Sequence, residues 1–219
     1  MTDPKPPAAP PDARLFIATG CAHCPAVLSA MAELVKQGLI GRLEVVNLMA
    51  HPEEAQALGV RSTPWIRIGP FTLQGAHSPG ELRRWAERAG SEEGIADYLA
   101  ELIESRQLDQ ALRDIRAHPE WRPVLMRLIS DLETPIGVRI GVGAILEDLA
   151  EHDELGPLLP ALRKMLEAPQ PQLRADGAYY LGLARDPAVR AWLEPLREDP
   201  APEVREIVAE ALEELPQAH

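Results

Sequence analysis

The stretch TGCAHCPAVLSAM, residues 19–31, contains both cysteines of this 219-residue chain. Cys21 and Cys24 are separated by two residues, and His23 lies between them. A cysteine pair at this spacing suits a redox couple or half of a metal site, and it can also arise by accident. The sequence on either side of the pair distinguishes these possibilities.

The cysteine pair stands at a predicted junction between a strand and a helix. The apolar run ARLFIA at residues 13–18 is typical of a short strand. The residues that follow have helical spacing, which places a group of aliphatic side chains on one face. That group comprises Val27, Leu28, Met31, Leu34 and Val35. We therefore expect Cys21 and Cys24 at the start of a helix that follows directly on a strand.

The remainder of the first half predicts a small α/β domain over residues 13–90. Further strands are expected at RLEVVNLM (42–49), WIRIG (65–69) and FTLQG (71–75), and further helices at HPEEAQALGV (51–60) and SPGELRRWAERAG (78–90). The turn Gly69-Pro70 would join the last two strands into a hairpin. The order strand, helix, strand, helix, strand, strand, helix favours one central sheet flanked by helices.

The second half, residues 91–219, predicts an all-α domain of repeated helical hairpins. Three segments align on Arg139, Arg174 and Arg205, which are 35 and 31 residues apart. The aligned positions share an aliphatic residue before each arginine, small residues four positions after it and leucines seven positions after it: Val138, Leu173 and Val204; Gly143, Ala178 and Ala209; Leu146, Leu181 and Leu212. Small residues let helices approach closely, and the aliphatic residues fill the seams between stacked hairpins. Residues 93–115 predict a fourth, atypical hairpin.

Each half of the chain resembles a known family. The repeats resemble HEAT repeats of the short bacterial type, with a good match over about residues 120–215 and a poor one over 91–117. Residues 12–90 resemble the thioredoxin-like superfamily, because the sequence Cys21-Ala22-His23-Cys24 follows a strand and VRSTPW (60–65) follows about 40 residues later. In size the domain is similar to a glutaredoxin or to one half of the glutaredoxin-like protein disulfide oxidoreductases. The chain lacks the Trp-Cys-Gly-Pro-Cys sequence of thioredoxins.

Chemistry and the resemblance together assign roles to the candidate site. The free N–H groups and the dipole of a helix start favour a thiolate at Cys21, which would attack a substrate disulfide. Cys24, one turn later, would resolve the mixed disulfide. His23 would tune the redox potential if it lies beside the thiolate. The resemblance implies a cis proline at Pro64 and a substrate-binding role for Thr63 and Pro64.

Composition narrows the classes of partner. The net charge is −12, with 9 basic and 8 acidic residues in 1–90, and 13 basic and 26 acidic in 91–219. Such acidity argues against nucleic acid and against anionic lipid as partners. No apolar run reaches membrane-spanning length, and the proline-rich residues 1–12 predict a disordered lead-in without a secretory signal. We expect a cytoplasmic protein with no cofactor and no metal.

Three functions stay open at this point. The first is a dithiol–disulfide oxidoreductase whose HEAT-like repeats bind protein substrates or a partner. The second is a redox-sensitive scaffold or assembly chaperone that uses the first domain as a binding module. The third is metal or cluster carriage through Cys21, Cys24 and His23, completed by a second chain. The other five histidines fall in no ligand pattern, and Trp65 could belong to the core or to the rim of the site.

Overall fold

The computed structural model describes residues 9–216 and divides into two compact units. The first unit ends at Tyr98 and the second begins at Leu99. Of the predicted lead-in, residues 1–8 lie outside the described residues. Asp12 already belongs to the first strand, and the carbonyl of Pro11 accepts a hydrogen bond from the N–H of Gly41 at 3.0 Å. The ordered domain therefore begins before residue 13.

The first unit has the predicted order of strands and helices. Its elements are β1 (Asp12–Ile17), α1 (Cys24–Lys36), β2 (Arg42–Asn47), α2 (Pro52–Ala57), β3 (Trp65–Ile68), β4 (Phe71–Gln74) and α3 (Pro79–Arg88), followed by α4 (Glu92–Glu104), which contains the division between the units. The strands form one mixed sheet in the order β2-β1-β3-β4. Strand β1 runs parallel to β2 and antiparallel to β3, which is antiparallel to β4.

The core of the sheet follows from the alternation of side chains along its strands. Phe16, Val46 and Trp65 cluster with Ala55 of α2 on one face. Leu15 is fully buried and, because it neighbours Phe16 in the same strand, it points to the opposite face. Both faces of the central strand β1 are therefore covered, as the apolar run of its sequence requires.

Tyr98 explains why the division falls after residue 98 rather than after Gly90. Its hydroxyl accepts a hydrogen bond from the N–H of Thr72 and donates one to the carbonyl of Thr72, both at 3.1 Å. Its ring lies 4.9 Å from that of Phe71 and 5.8 Å from that of Trp85. These contacts attach the first turns of α4 to strand β4.

In the second unit, every assigned element is helical across the described residues up to 216, as predicted. The α-helices after α4 are α5 (Leu108–Ala117), α6 (Arg122–Ser130), α7 (Ile136–Glu151), α8 (Leu159–Met165), α9 (Pro171–Leu183), α10 (Arg190–Leu193) and α11 (Pro202–Glu214). Short 3-10 helices cover Pro119–Trp121, Gly156–Leu158, Pro187–Val189 and Glu194–Glu198. No helix among the described residues is both long and apolar enough to cross a membrane.

The three aligned arginines occupy equivalent positions, which confirms that prediction. Arg139, Arg174 and Arg205 are each the fourth residue of their helices, α7, α9 and α11. Each side chain donates a hydrogen bond to a backbone carbonyl that precedes its own helix: Arg139 to Ile129, Arg174 to Ala168 and Pro169, and Arg205 to Asp199 and Pro200. The arginine thus fastens the second helix of each hairpin to the chain that leads into it.

Small residues allow α9 and its neighbours to approach closely. A Cβ added at Gly182 would lie 2.7 Å from the Cβ of Ala211 in α11. A Cβ added at Gly177 would lie 2.8 Å from the Cβ of Met165 in α8. Such distances leave no room for a side chain, so close contact between the helices depends on these positions.

Candidate redox site

Cys21 lies in the turn that joins the end of β1 to the start of α1. Gly20, immediately before it, has φ +83°, a left-handed conformation that favours glycine. The N–H of Cys21 donates to the carbonyl of Ala18 at 3.2 Å. Helix α1 begins at Cys24, three residues later, and Pro25 stands in its first turn, where the missing N–H costs no helical hydrogen bond.

The two cysteines form a disulfide. The Sγ–Sγ distance is 2.12 Å and the Cα atoms are 5.5 Å apart. Cys24 is 4% exposed, whereas Cys21 is half-buried. A disulfide with one accessible sulfur can exchange with an external thiol at that sulfur, because attack requires access.

The start of α1 contacts the sulfur of Cys21 directly. The backbone N–H of Cys24, the first helical amide, points at this sulfur with an N–S distance of 3.2 Å. An N–H donor and the positive end of the helix dipole both favour negative charge there. The arrangement would stabilise a thiolate on Cys21 once the disulfide is reduced.

The Thr63–Pro64 segment lies beside Cys21 and has the cis proline that the resemblance implies. The Thr63–Pro64 peptide bond is cis. The carbonyl oxygen of Thr63 is 3.7 Å from the sulfur of Cys21. Topology accounts for the proximity, since β3 is antiparallel to β1 and Trp65 pairs with Phe16. The residues that precede β3 therefore meet the turn that follows β1.

Gly75 supports this segment, a contact that sequence reasoning did not identify. Its N–H donates to the carbonyl of Pro64 at 2.9 Å. Because Gly75 directly follows β4, this bond continues the pairing of β3 and β4 up to the proline. The only sequence signal was that a glycine ended the predicted hairpin strand.

His23 occupies the residue before α1 and is exposed. Its side chain makes no capping hydrogen bond to the helix. Its predicted redox-tuning role thus depends on how close the imidazole comes to the Cys21 sulfur in the reduced protein, and it stays a prediction.

Trp65 belongs to the core rather than to the rim. Its side chain is 2% exposed, and its ring packs edge-on against Phe16 with the centroids 5.5 Å apart. This contact holds β3 against β1 at the end of the sheet nearest the cysteines. Trp65 supports the candidate site from below and offers no surface to a substrate.

Among the described residues, one group could approach metal-ligand geometry: His51, Glu53 and Glu54, whose candidate ligand atoms lie within 4.8 Å of one another. The spacing of His51 in the sequence fits no ligand pattern. The carboxylate of Glu54 already pairs with Arg14 at 2.6 Å, and His51 and Glu53 are exposed. Ion pairing at the start of α2 accounts for this cluster.

Comparisons with known proteins bear on the first unit. Residues 14–87 match a family model described as thioredoxin domain. No curated protein matches the chain. The matched region spans the sheet, the cysteine pair and the cis proline, and a disulfide-forming pair in this setting supports redox chemistry of thiols. The first unit is therefore a thioredoxin-like domain, followed in the same chain by an all-α region.

Proposed function

We propose that the protein is a dithiol–disulfide oxidoreductase that acts on protein substrates through Cys21 and Cys24. One observation carries the proposal: the half-buried sulfur of Cys21 lies between the first amide of α1 and the carbonyl of Thr63. The amide stabilises the attacking thiolate, and the Thr63–Pro64 segment offers its backbone to an extended substrate chain by β-augmentation.

The exchange is balanced without a cofactor. The Cys21 thiolate attacks one sulfur of a substrate disulfide, and a mixed disulfide forms as the other substrate sulfur leaves as a thiolate. Cys24 then attacks Cys21, forming the intramolecular disulfide and releasing the second substrate thiol. Two electrons pass to the substrate, and a dithiol protein or a small thiol would return them.

The HEAT-like repeats are proposed as a protein-binding platform that recruits the substrate or a partner. Support comes from the equivalent arginines of α7, α9 and α11 and from the close packing of α9 against α11, both of which suit stacked hairpins. A cytoplasmic location, where reducing conditions would keep the dithiol available, belongs to the same proposal.

The disulfide favours this function over metal carriage. A sulfur joined to another sulfur is no thiolate ligand, so the described arrangement is one half of a redox cycle. A redox-sensitive scaffold would also contain a disulfide, but it would not turn over a substrate.

Trapping separates the oxidoreductase from the scaffold. Cys24→Ser leaves Cys21 able to attack but removes the thiol that resolves the mixed disulfide. Non-reducing electrophoresis with mass spectrometry should then find substrate proteins linked to Cys21, and Cys21→Ser/Cys24→Ser is the matched control. If the Cys24→Ser variant captures no more than this control, the proposed function is wrong.

A further inference from the structure

Helix α8 has a surface groove on each side. The groove toward α10 has a volume of 390 Å³ and is lined by Pro160, Arg163, Lys164, Glu167 and Trp192. The groove toward α6 has a volume of 300 Å³ and is lined mainly by apolar side chains, with Lys164 at its edge. Lys164 therefore lies where a ligand could occupy both grooves at once.

The first groove contains two neighbouring positive charges, Arg163 and Lys164. Acidic residues outnumber basic ones by 26 to 13 in residues 91–219, and arginines such as Arg116 and Arg174 pair with carboxylates. Arg163 and Lys164 are exposed, and neither has an ion-pair partner within residues 9–216. Glu167 lines the same groove, so one positive charge remains in excess. Two neighbouring cations without ion-pair partners favour an anionic ligand.

Trp192 gives the same groove an aromatic wall. The guanidinium of Arg163 lies over its ring, 5.1 Å from the centroid, in the geometry of a cation–π contact. Tryptophan and arginine together are the residues most enriched at the energetic centres of protein interfaces. The aromatic wall indicates a ligand with apolar groups as well as negative charge.

The second groove suits an apolar side chain. Met126, Met165 and Leu173 line it. Methionine is flexible and polarizable, and it packs against side chains of different shapes. The two grooves together present apolar surface on one side of Lys164, and cationic and aromatic surface on the other.

We propose that the grooves flanking α8 bind an acidic segment of a partner protein that also carries apolar side chains. Its carboxylates contact Arg163 and Lys164, an apolar side chain packs on Trp192, and another enters the groove between α6 and α8. This inference names the class of partner for the repeat platform and rests on that part of the proposed function. One excess positive charge on a protein of net charge −12 is too little for a nucleic-acid backbone.

Fluorescence anisotropy with the full-length protein tests the charge preference. The probe is a fluorescein-labelled peptide of alternating Glu and Leu, compared with the same peptide carrying Gln in place of Glu. The acidic peptide should bind more tightly than the uncharged one, and high salt should weaken its binding. Equal binding of both peptides, or no binding of the acidic peptide, overturns the proposal.

Charge reversal locates the site. Arg163→Glu/Lys164→Glu should weaken binding of the acidic peptide by at least about tenfold. The control, Arg106→Glu/Arg113→Glu, changes the net charge of the same unit equally but reverses exposed residues that do not line the grooves. Circular dichroism verifies the fold of both variants. If both variants lose affinity equally, the effect is one of net charge and the proposal is wrong.

Lys164 also permits a chemical assignment, because it is the only lysine after Lys36. A carbodiimide should join its amine to a carboxylate of the bound peptide, and mass spectrometry identifies the linked residue. Lys164→Arg should retain binding and lose this cross-link. Cross-links confined to other amines contradict the assignment.

The proposed binding groove and the proposed thiol chemistry can be tested independently. The charge-reversed variant should exchange with oxidised glutathione at the wild-type rate, since Arg163 and Lys164 take no part in the exchange. If the wild-type protein binds the peptide but does not exchange with glutathione, the proposed oxidoreductase function is wrong and the proposed binding groove is supported. If it exchanges but does not bind the peptide, the proposed groove is wrong and the oxidoreductase function is supported.

Discussion

The two cysteines have different surroundings, and the difference supports the roles proposed for them. Cys24 is 4% exposed within the first turn of α1, whereas Cys21 is half-buried and receives the N–H of Cys24. A thiol reacts as its thiolate and only where a reagent can reach it. These surroundings support the proposal that the sulfur of Cys21 is the nucleophile.

We predict that brief iodoacetamide treatment of the reduced protein near neutral pH labels Cys21 well before Cys24. Peptide mapping by mass spectrometry measures the two rates. Labelling in denaturant is the control, because it should remove the difference in exposure. Faster labelling of Cys24 in the native protein would contradict the assignment of roles.

We also predict that His23→Ala raises the pKa of the Cys21 thiol. An imidazolium beside the sulfur stabilises the thiolate and hence the reduced state. A rise of one unit corresponds to about 1.4 kcal/mol, and if it falls wholly on the reduced state the potential drops by about 30 mV. Thiolate absorbance against pH and equilibrium with glutathione measure both quantities. Unchanged values would leave the helix start as the activating group.

At the scale of elements, close helix contacts in the second unit depend on particular glycines. We predict that Gly182→Ala destabilises the contact of α9 with α11 by about 1 kcal/mol, because the added methyl would overlap Ala211 and overpacking outweighs the gain in helix propensity. Gly137→Ala in α7 is the control, since a Cβ there meets open space. It should stabilise its helix by up to about 1 kcal/mol.

Hydrogen exchange of the amides in α7, α9 and α11 measures these effects, because it reports local opening. Protection should fall in the Gly182→Ala variant and stay or rise in the Gly137→Ala variant. Equal protection in the two variants would show that the helices can separate to admit the methyl group.

The carboxylate of Asp199, which joins α9 to the chain before α11, makes the stability of the second unit depend on pH. Both oxygens of Asp199 accept hydrogen bonds from Arg174 at 2.8 Å, and one also accepts the N–H of Ala201 at 2.9 Å. The hydrogen bonds from the Arg174 guanidinium hold the pKa of Asp199 below its ordinary value. A carboxyl whose pKa is lowered on folding stabilises the fold above its unfolded pKa and loses that contribution as the pH falls through the folded value.

We therefore predict that Asp199→Asn lowers the protection of α9 and α11 at neutral pH. The difference from wild type should shrink once the pH falls below about 4, the ordinary pKa of an aspartate, because the unfolded chain then binds a proton that folded Asp199 does not. It should disappear only below the lowered pKa of the folded state. Asp109→Asn, an exposed aspartate of α5, is the control. A difference that persists unchanged in acid would exclude the charge as its cause.

Local patterns predicted the elements well, because strand alternation and helical spacing reflect which face is buried. The closeness of Thr63 to Cys21 was expected only from the resemblance to the thioredoxin-like superfamily, and the antiparallel pairing of β1 with β3 accounts for it. Long-range contacts could not be predicted from these local patterns. Tyr98 extends the first unit by contacts with Thr72, and the sequence of its own helix does not indicate that partner.

At the scale of the whole molecule, the chain contains a thioredoxin-like domain and an all-α region. The groove around Trp192 shows why sequence alone could not describe the second part. Trp192 and Lys164 lie 28 positions apart and line one surface only because α8 packs near α10. Helical spacing predicts the buried face of each helix but does not show which exposed residues of different helices lie together.

The central claim is that Cys21 and Cys24 exchange with protein disulfides, and one measurement tests it most directly. The reduced protein is mixed with insulin under anaerobic conditions, without any other reductant, and the acid-quenched thiols of both proteins are counted over time. We predict that each wild-type molecule transfers two electrons and ends with its Cys21–Cys24 disulfide, that Cys24→Ser stops at the mixed disulfide, and that Cys21→Ser does not react. If wild type loses its thiols no faster than Cys21→Ser, the claim is wrong.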